Sequence, residues 1–187
     1  MTELDVVEDV IRRRRSNLRM DMSRDVDPDL VERLCRLVAW APNHKATSPW
    51  RITMITGDAR ARLGEAAAGG AMRAGVTDEP TLRKLRTKYL RAPVMVLIGA
   101  AADPDPVLHA ENRDAASAGV QNLLLAATAA GLASYWSTGA AASDPEVKGL
   151  ADLGEGDQLV GIVYLGWPAG DVESPGRDEL VVRRLTE

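Results

Sequence analysis

The stretch that decides the fold runs from residue 111 to 139, ENRDAASAGVQNLLLAATAAGLASYWSTG. Glu111 to Ala130 reads as one long helix, apolar at most positions after Ala118. A helix that is apolar nearly all round belongs in the middle of a protein. Gly131 suits its C-cap. Leu132 to Trp136 then reads as a short strand. No charge occurs from Ala115 to Ser143, longer than the roughly 18 residues that a membrane span needs. Ser117, Gln121, Asn122 and Thr128 interrupt that stretch, however, and alanine is only weakly apolar. A buried helix followed by a strand accounts for it better.

The flanking segments supply the rest of the architecture. Val94 to Gly99 and Leu159 to Leu165 are continuous apolar runs, hence buried strands. Arg51 to Thr56 alternates and is β-branched, so it reads as a further strand. Leu4 to Arg15 is a helix with Val6, Val7, Val10 and Ile11 on one stripe. Asp27-Pro28 starts a second helix, with an acceptor at the N-cap and proline at N1. It stops near Pro42. Further helices are expected from Gly57-Asp58 to about Ala68, from Thr81 to Tyr89, and after Ser143-Asp144-Pro145. Gly69-Gly70 and the residues up to Thr81 are ambiguous. Asn43 to Pro49 and Asp103 to Pro106 read as loops. Leu180 to Leu185 has the composition of an edge strand. Helices first, then interspersed strands, indicate an α+β fold with helices packed on a sheet. The length of 187 residues suits a single domain, 1–187.

Composition excludes several functions. The net charge is −4 and the pI about 5.3, against a nucleic-acid partner. Cys35 is the only cysteine, so an internal disulfide and a cysteine-rich zinc site are excluded. Two histidines, His44 and His109, cannot make a three-histidine site. The charged N-terminus lacks an apolar signal core, and no membrane anchor is expected, so the expected location is cytoplasmic. No GxGxxG, GxxxxGK[ST] or GxSxG motif occurs.

Three segments carry chemistry. Arg14-Arg15-Ser16, with Arg19 close behind, is either a cationic helix end favoured by the dipole or a phosphate clamp. Charge pattern alone favours the helix end. Asn43-His44-Lys45 lies on the loop before Pro49-Trp50. It is either a plain helix exit or a ligand-touching loop. Trp136-Ser137-Thr138-Gly139 follows the short strand. It offers either end-of-strand packing or donors to a flat polar ring beside an apolar wall.

Taken in order, these segments resemble the nitroreductase superfamily. The carriers are the helix ending in Arg14-Arg15-Ser16, the run Ala41-Pro42-Asn43-His44-Lys45 with Pro49-Trp50, the long apolar helix, Trp136-Ser137-Thr138-Gly139, and the strand ending Tyr164-Leu165-Gly166. The chain is most similar to the compact NAD(P)H nitroreductases of bacteria, over about Val6 to Pro168. The resemblance implies a mixed, mainly antiparallel sheet flanked by helices. It implies an intertwined homodimer with FMN at the interface, NADH or NADPH as donor, and a small-molecule electron acceptor. By position, Arg14, Arg15, Ser16 and Arg19 match the residues at the FMN phosphate and ribityl end. Trp40, Asn43 and His44 match positions that reach the flavin of the other subunit. Trp136, Ser137, Thr138 and Gly139 match the segment against the isoalloxazine. Ser48 stands where the family usually has glutamine, and Trp40 where a basic or small residue is common. Larger relatives have a tail contact to the phosphate, for which Arg183 and Arg184 are the candidates here; by charge alone they read as a charged C-terminus, and the resemblance does not choose. The resemblance implies reduction of nitro compounds or quinones by ping-pong hydride transfer, with no obligatory side-chain acid or base. A flavin-sequestering protein of the same fold is the alternative.

Overall fold

Acidic caps and prolines set most helix starts. Thr2 and Asp5 form a reciprocal capping box at the first helix, α1 (Glu3–Arg13). Asp27 caps α2 (Pro28–Arg36), Asp78 caps α4 (Glu79–Thr87), Asp105 caps α5 (Pro106–Ala129) and Asp144 caps α6 (Pro145–Leu150). Each of these four aspartates accepts a backbone N–H of the first turn. Between α2 and α4 lies α3 (Ala59–Arg73). The strands are β1 (Trp50–Ile55), β2 (Val94–Ala100), β3 (Ala133–Ser137) and β4 (Gln158–Gly166). The computed structural model describes residues 1–139, 144–173 and 176–186.

The strands form one sheet in the order β1-β2-β4-β3. All three pairings are antiparallel. The expected mixed sheet is therefore antiparallel among the described strands. The parallel pairing present is a single bridge between Ser16 and Ser134. Along β2, Val94, Val96, Ile98 and Ala100 enter one core, while Met95 and Leu97 enter the other. That period of two explains the unbroken apolar run, because helices cover both faces. The first core contains Val31, Leu34 and Val38 from the α2 region and Val120 and Leu123 from α5. The second contains Leu63 of α3, Tyr89, and Val147 of α6.

Three segments differ from the sequence expectation. α5 begins at Pro106 rather than Glu111, because Asp105-Pro106 repeats the start signal of Asp27-Pro28. Asp105 Oδ1 accepts the Val107 N–H at 2.9 Å. α3 runs on through Gly69 and Gly70 to Arg73, whose guanidinium pairs with Asp144 at 2.8 Å and Glu146 at 2.7 Å on the α6 segment. Tertiary ion pairing thus extends a helix that local propensity would end. Leu180 to Leu185 forms no strand, and Leu180, Val181, Val182 and Leu185 are all exposed. Strand composition alone does not make a strand, and the tail pairs with no described strand of this chain. Residue 143, in the expected start of α6, lies outside the described residues. Among the described residues, no helix is long and apolar enough to cross a membrane.

α5 crosses the first core against the short 3-10 turn Leu37–Trp40. Gly119 makes that approach feasible. A Cβ there would meet the Val38 carbonyl oxygen at 2.7 Å and Trp50 Nε1 at 3.3 Å. Trp50 in turn donates to the Ala115 carbonyl at 3.3 Å, tying β1 to α5. Alanine at a helix interior normally gains about 1 kcal/mol over glycine. Overpacking against fixed backbone costs about 1–3 kcal/mol, so the clash decides the sign. Gly119→Ala is expected to lose about 1 kcal/mol of stability in urea unfolding; an unchanged or raised midpoint would refute this packing.

Candidate functional site

The first cluster forms where α1 ends. Arg14 leaves the helix with extended backbone (φ −55, ψ 125). Ser16 then bridges Ser134, and the Asn17 N–H donates to the Ser134 carbonyl at 2.9 Å. Asn17 is buried. Its amide donates to the Gly170 carbonyl and its oxygen accepts the Arg19 N–H at 2.7 Å. The arginine-serine segment is thereby stitched along β3, a strand distant from it in sequence.

Both readings of this segment find support in its residues, since one nitrogen of Arg15 caps the helix and its charge still adds to that of Arg14. Arg15 donates to the carbonyls of Arg12 and Arg14, which is helix-end capping. Arg14 instead sits half-buried beside Arg177. Burial, then the charges of Arg177 and Arg15, press its pKa below the usual arginine value. Among the described residues, no carboxylate forms an ion pair with Arg14, Arg15 or Arg177. Like charges gathered without a counterion are unfavourable, and an anion relieves them. The exposed Ser16 hydroxyl lies in the same segment.

Sequence reasoning does not find Arg177, because a lone arginine after Gly176 carries no motif. Arg183 and Arg184, the candidates for a tail contact, are exposed in the tail. Arg19 lies one turn of chain beyond Ser16. It lines a surface cavity of about 680 Å³ with Asp171 and Glu173.

The second group continues along β3. Trp136 is half-buried against β4, where a Cβ on Gly161 would collide with its indole nitrogen. Trp136 Nε1 and Ser134 Oγ are both buried without a hydrogen-bond partner. Orphaned polar atoms of this kind are rare enough to require a cause. Both belong to the strand beside the arginine cluster. Thr138 and Gly139, with Ser137 preceding them, open on a cavity of about 360 Å³ bounded by Arg113, Lys148, Asp157 and Gln158.

The third group lies on the loop before β1. Trp40 is 81% exposed, an unusual position for an indole. His44 Nδ1 lies 2.7 Å from Glu111 Oε2. Asn43 donates to Thr47 Oγ1 at 2.9 Å and accepts the Ser48 N–H at 2.9 Å. Lys45, Ala46 and Ser48 all have left-handed backbone, with φ of 55, 50 and 49. Each costs roughly 1–2 kcal/mol for a non-glycine residue.

The structure thus joins Ser16 to Ser134 near the start of β3, and Trp136, Ser137, Thr138 and Gly139 follow towards and beyond its other end. It does not bring Asn43 and His44 to Ser16 within one chain, whereas Thr138 and Gly139 share a cavity with Arg113, next to the loop's anchor Asn112. The loop meets α5 at Glu111 and Asn112, whereas Ser16 meets Ser134, beyond the C-terminal end of α5. At about 1.5 Å per residue, the helix from Asn112 to Ala129 separates them by roughly 25 Å.

The profile of the nitroreductase family matches residues 11–167. The chain belongs to the nitroreductase family. Among curated proteins, the chain is 30% identical over 170 residues to one named "Putative NAD(P)H nitroreductase YdjA" from Escherichia coli strain K12. That match covers 88% of this chain and 89% of the relative. A nitroreductase-like family protein from Bacillus cereus superimposes with a TM-score of 0.82 at 28% identity, covering 96% of this chain and 94% of the other. A nitroreductase with bound FMN from Bacteroides fragilis NCTC 9343 shares the fold, with a TM-score of 0.76 at 22% identity and all of both chains covered. The α+β sheet with its helices on both faces is therefore a nitroreductase-like fold.

Arg177 separates an anion site from a cationic helix end, because it caps no helix. Arg177→Ala is expected to leave the ligand-free protein at least as stable, by relieving repulsion on Arg14. The same variant is expected to lose most of the rise in Tm that millimolar phosphate gives the unsubstituted chain. An equal phosphate response in both proteins would remove Arg177 from the site.

Proposed function

We propose that this nitroreductase-family chain binds FMN and reduces nitro compounds, quinones or similar acceptors with NADH or NADPH. The observation that carries this reading is the cluster of Arg14, Arg15 and Arg177, half-buried at Arg14 and without an ion pair among the described residues, in the segment that Ser16 joins to β3. It fits a phosphate monoester: guanidinium forks match phosphate oxygens, and the Ser16 hydroxyl adds a donor. Arg19 is the next candidate along the same segment, toward the ribityl end. Trp136 to Gly139 supply an apolar wall and donors for a flat ring system, with Ser137 and Thr138 as the hydroxyls. The family membership and the FMN-bound relative support the choice of FMN over other phosphates.

When bound, FMN would accept hydride from the nicotinamide and return it to the acceptor in a second half-reaction. The chain's own part is to bind, orient and tune. An arginine near the electron-rich edge of the ring favours negative charge there electrostatically. The chain contributes few acid–base groups: His44 and His109 are its histidines. The Cys35 thiol is raised to about 11 by burial and by the Glu32 charge. It is therefore a poor thiolate nucleophile at neutral pH.

The reading includes a homodimer. α1 has no buried residue, and its apolar face, with Leu4, Val6, Val7 and Ile11, is exposed. An amphipathic helix without a cover implies a partner surface. The tail from Leu180 to Leu185 is likewise apolar and uncovered. β1 ends the sheet at an open edge, next to a groove of about 600 Å³ lined by Cys35, Val38, Trp50, Ile52 and Met54. A second copy would cover these surfaces. It would also bring its Trp40, Asn43 and His44 loop to the flavin held by the first copy.

Two measurements test this. The purified, dialysed protein is expected to show or take up a flavin spectrum. Arg14→Ala and Arg15→Ala should each weaken FMN binding about tenfold or more, from the loss of one charge-assisted contact of about 1.5–3 kcal/mol. A folded protein that binds no added FMN would end the proposal. A flavin-loaded protein that oxidises no NAD(P)H with nitroarene or quinone would favour sequestration. In sedimentation the chain should be a dimer, and Val181→Asp with Val182→Asp should shift it toward monomer. An active wild-type monomer would exclude a site shared between copies.

A further inference from the structure

The loop that carries His44 is held by a chain of hydrogen bonds that starts inside the protein. Asn112, on α5, is 2% exposed. Its amide donates to the Ala101 carbonyl at the end of β2, at 3.2 Å. Its side-chain oxygen accepts the Thr47 hydroxyl at 2.6 Å. Thr47 Oγ1 accepts the Asn43 amide at 2.9 Å, and Asn43 Oδ1 accepts the Ser48 N–H at 2.9 Å. Each side-chain link leads to another, from the interior of the sheet to the far end of the loop. A buried amide that is fully partnered specifies one arrangement, because any alternative leaves polar atoms unpaired in a low-dielectric site.

The same loop is strained. Lys45, Ala46 and Ser48 occupy left-handed backbone without being glycine. Such residues persist only when the surroundings over-determine them, and they gather at ligand-binding segments. Ser48 is both strained and held by Asn43. Asn43 and Thr47 flank Lys45 and Ala46. The relay therefore clamps the strained residues from both sides. It also sets where His44 lies, with Glu111 holding the imidazole from the residue next to Asn112. That pair engages Nδ1 and leaves Nε2 outside it. Trp40, three residues before the loop, stays exposed.

We propose that Asn112 and Thr47 are positioning residues, which fix the 43–48 loop so that His44 is presented in one orientation to the electron acceptor. This rests on the nitroreductase reading above, in which the loop reaches the flavin of the other copy, where the acceptor must also come to take the hydride. It goes beyond that reading by assigning the orientation to two side chains that touch neither cofactor nor acceptor. Neither residue belongs to the motifs singled out in the sequence. Binding of the FMN phosphate, at the other end of α5, is expected to be independent of the relay.

Thr47→Val cuts the relay in the middle and keeps the side chain's shape. It is expected to raise KM for a nitroarene or quinone about tenfold while leaving the FMN dissociation constant within about twofold, a misplacement effect of the usual size. Thr47→Ser keeps the hydroxyl and should restore wild-type KM. Asn112→Leu should act in the same direction; because it is buried and could unfold the chain, Thr47→Val is the deciding variant. Amide hydrogen exchange across 43–48, in the flavin-loaded protein, should be faster in Thr47→Val than in wild type or Thr47→Ser. Unchanged exchange overturns the anchoring, whatever the activity. Faster exchange with unchanged KM in an active enzyme overturns the link to the acceptor. Wild-type protein that turns over no acceptor overturns the functional reading itself, and with it the acceptor's place in this inference.

Discussion

The two central strands, β2 and β4, are apolar on both faces, and the rest of the structure is set by covering them. β2 is buried along its whole length, and β4 nearly so. Neither face can be left to water, so helices must pack on each. α5 and the α2 region take one face; α3, the Tyr89 turn and α6 take the other. Because α5 spans the first face from end to end, the loops at its two ends are fixed far apart. One end holds the His44 loop through Asn112, and beyond the other Ser16 is joined to β3. The geometry of the site is thus a consequence of core burial.

The site's electrostatics centre on Arg14, with the charges of Arg177 and Arg15 close by. Four arginines pair with acids: Arg13 with Asp9, Arg36 with Glu32, Arg73 with Asp144 and Glu146, and Arg86 with Glu65 and Glu79. Among the described residues, Arg14, Arg15 and Arg177 do not. Surface pairs of that kind contribute little to stability. Most arginines are unpaired in this way among the described residues, and Arg14 differs in being half-buried with the charges of Arg177 and Arg15 close by. The same strand carries the two buried polar atoms without partners. Charge and hydrogen-bonding capacity are both left over in the same neighbourhood.

Local signals are legible where the cause is local. Asp27-Pro28 and the apolar runs at Val94 and Leu159 place their elements to within a residue or two. Asp105-Pro106 carries the same start signal, but the charged residues after it mask the first turns of α5. The end of α3 is not legible, since Arg73 continues the helix through ion pairs with residues on α6. The tail shows the converse. Leu180 to Leu185 has strand composition, yet it pairs with no described strand, and composition does not supply a partner. The mixed character expected of the sheet comes down to one bridge at Ser16.

By itself the sequence determined the elements, the two-faced core strands and the motifs that mark this family, because each depends on periodicity, caps or neighbours a few residues away. Tertiary structure alone decided which charges stand together. Arg177 meets Arg14 only because the chain returns past β3, and no spacing in the sequence encodes that return. It also decided that Asn112 would be the anchor of a strained loop. An asparagine on a helix is ordinary in sequence; burial at 2% exposure, with each polar atom matched, is a property of the packed fold.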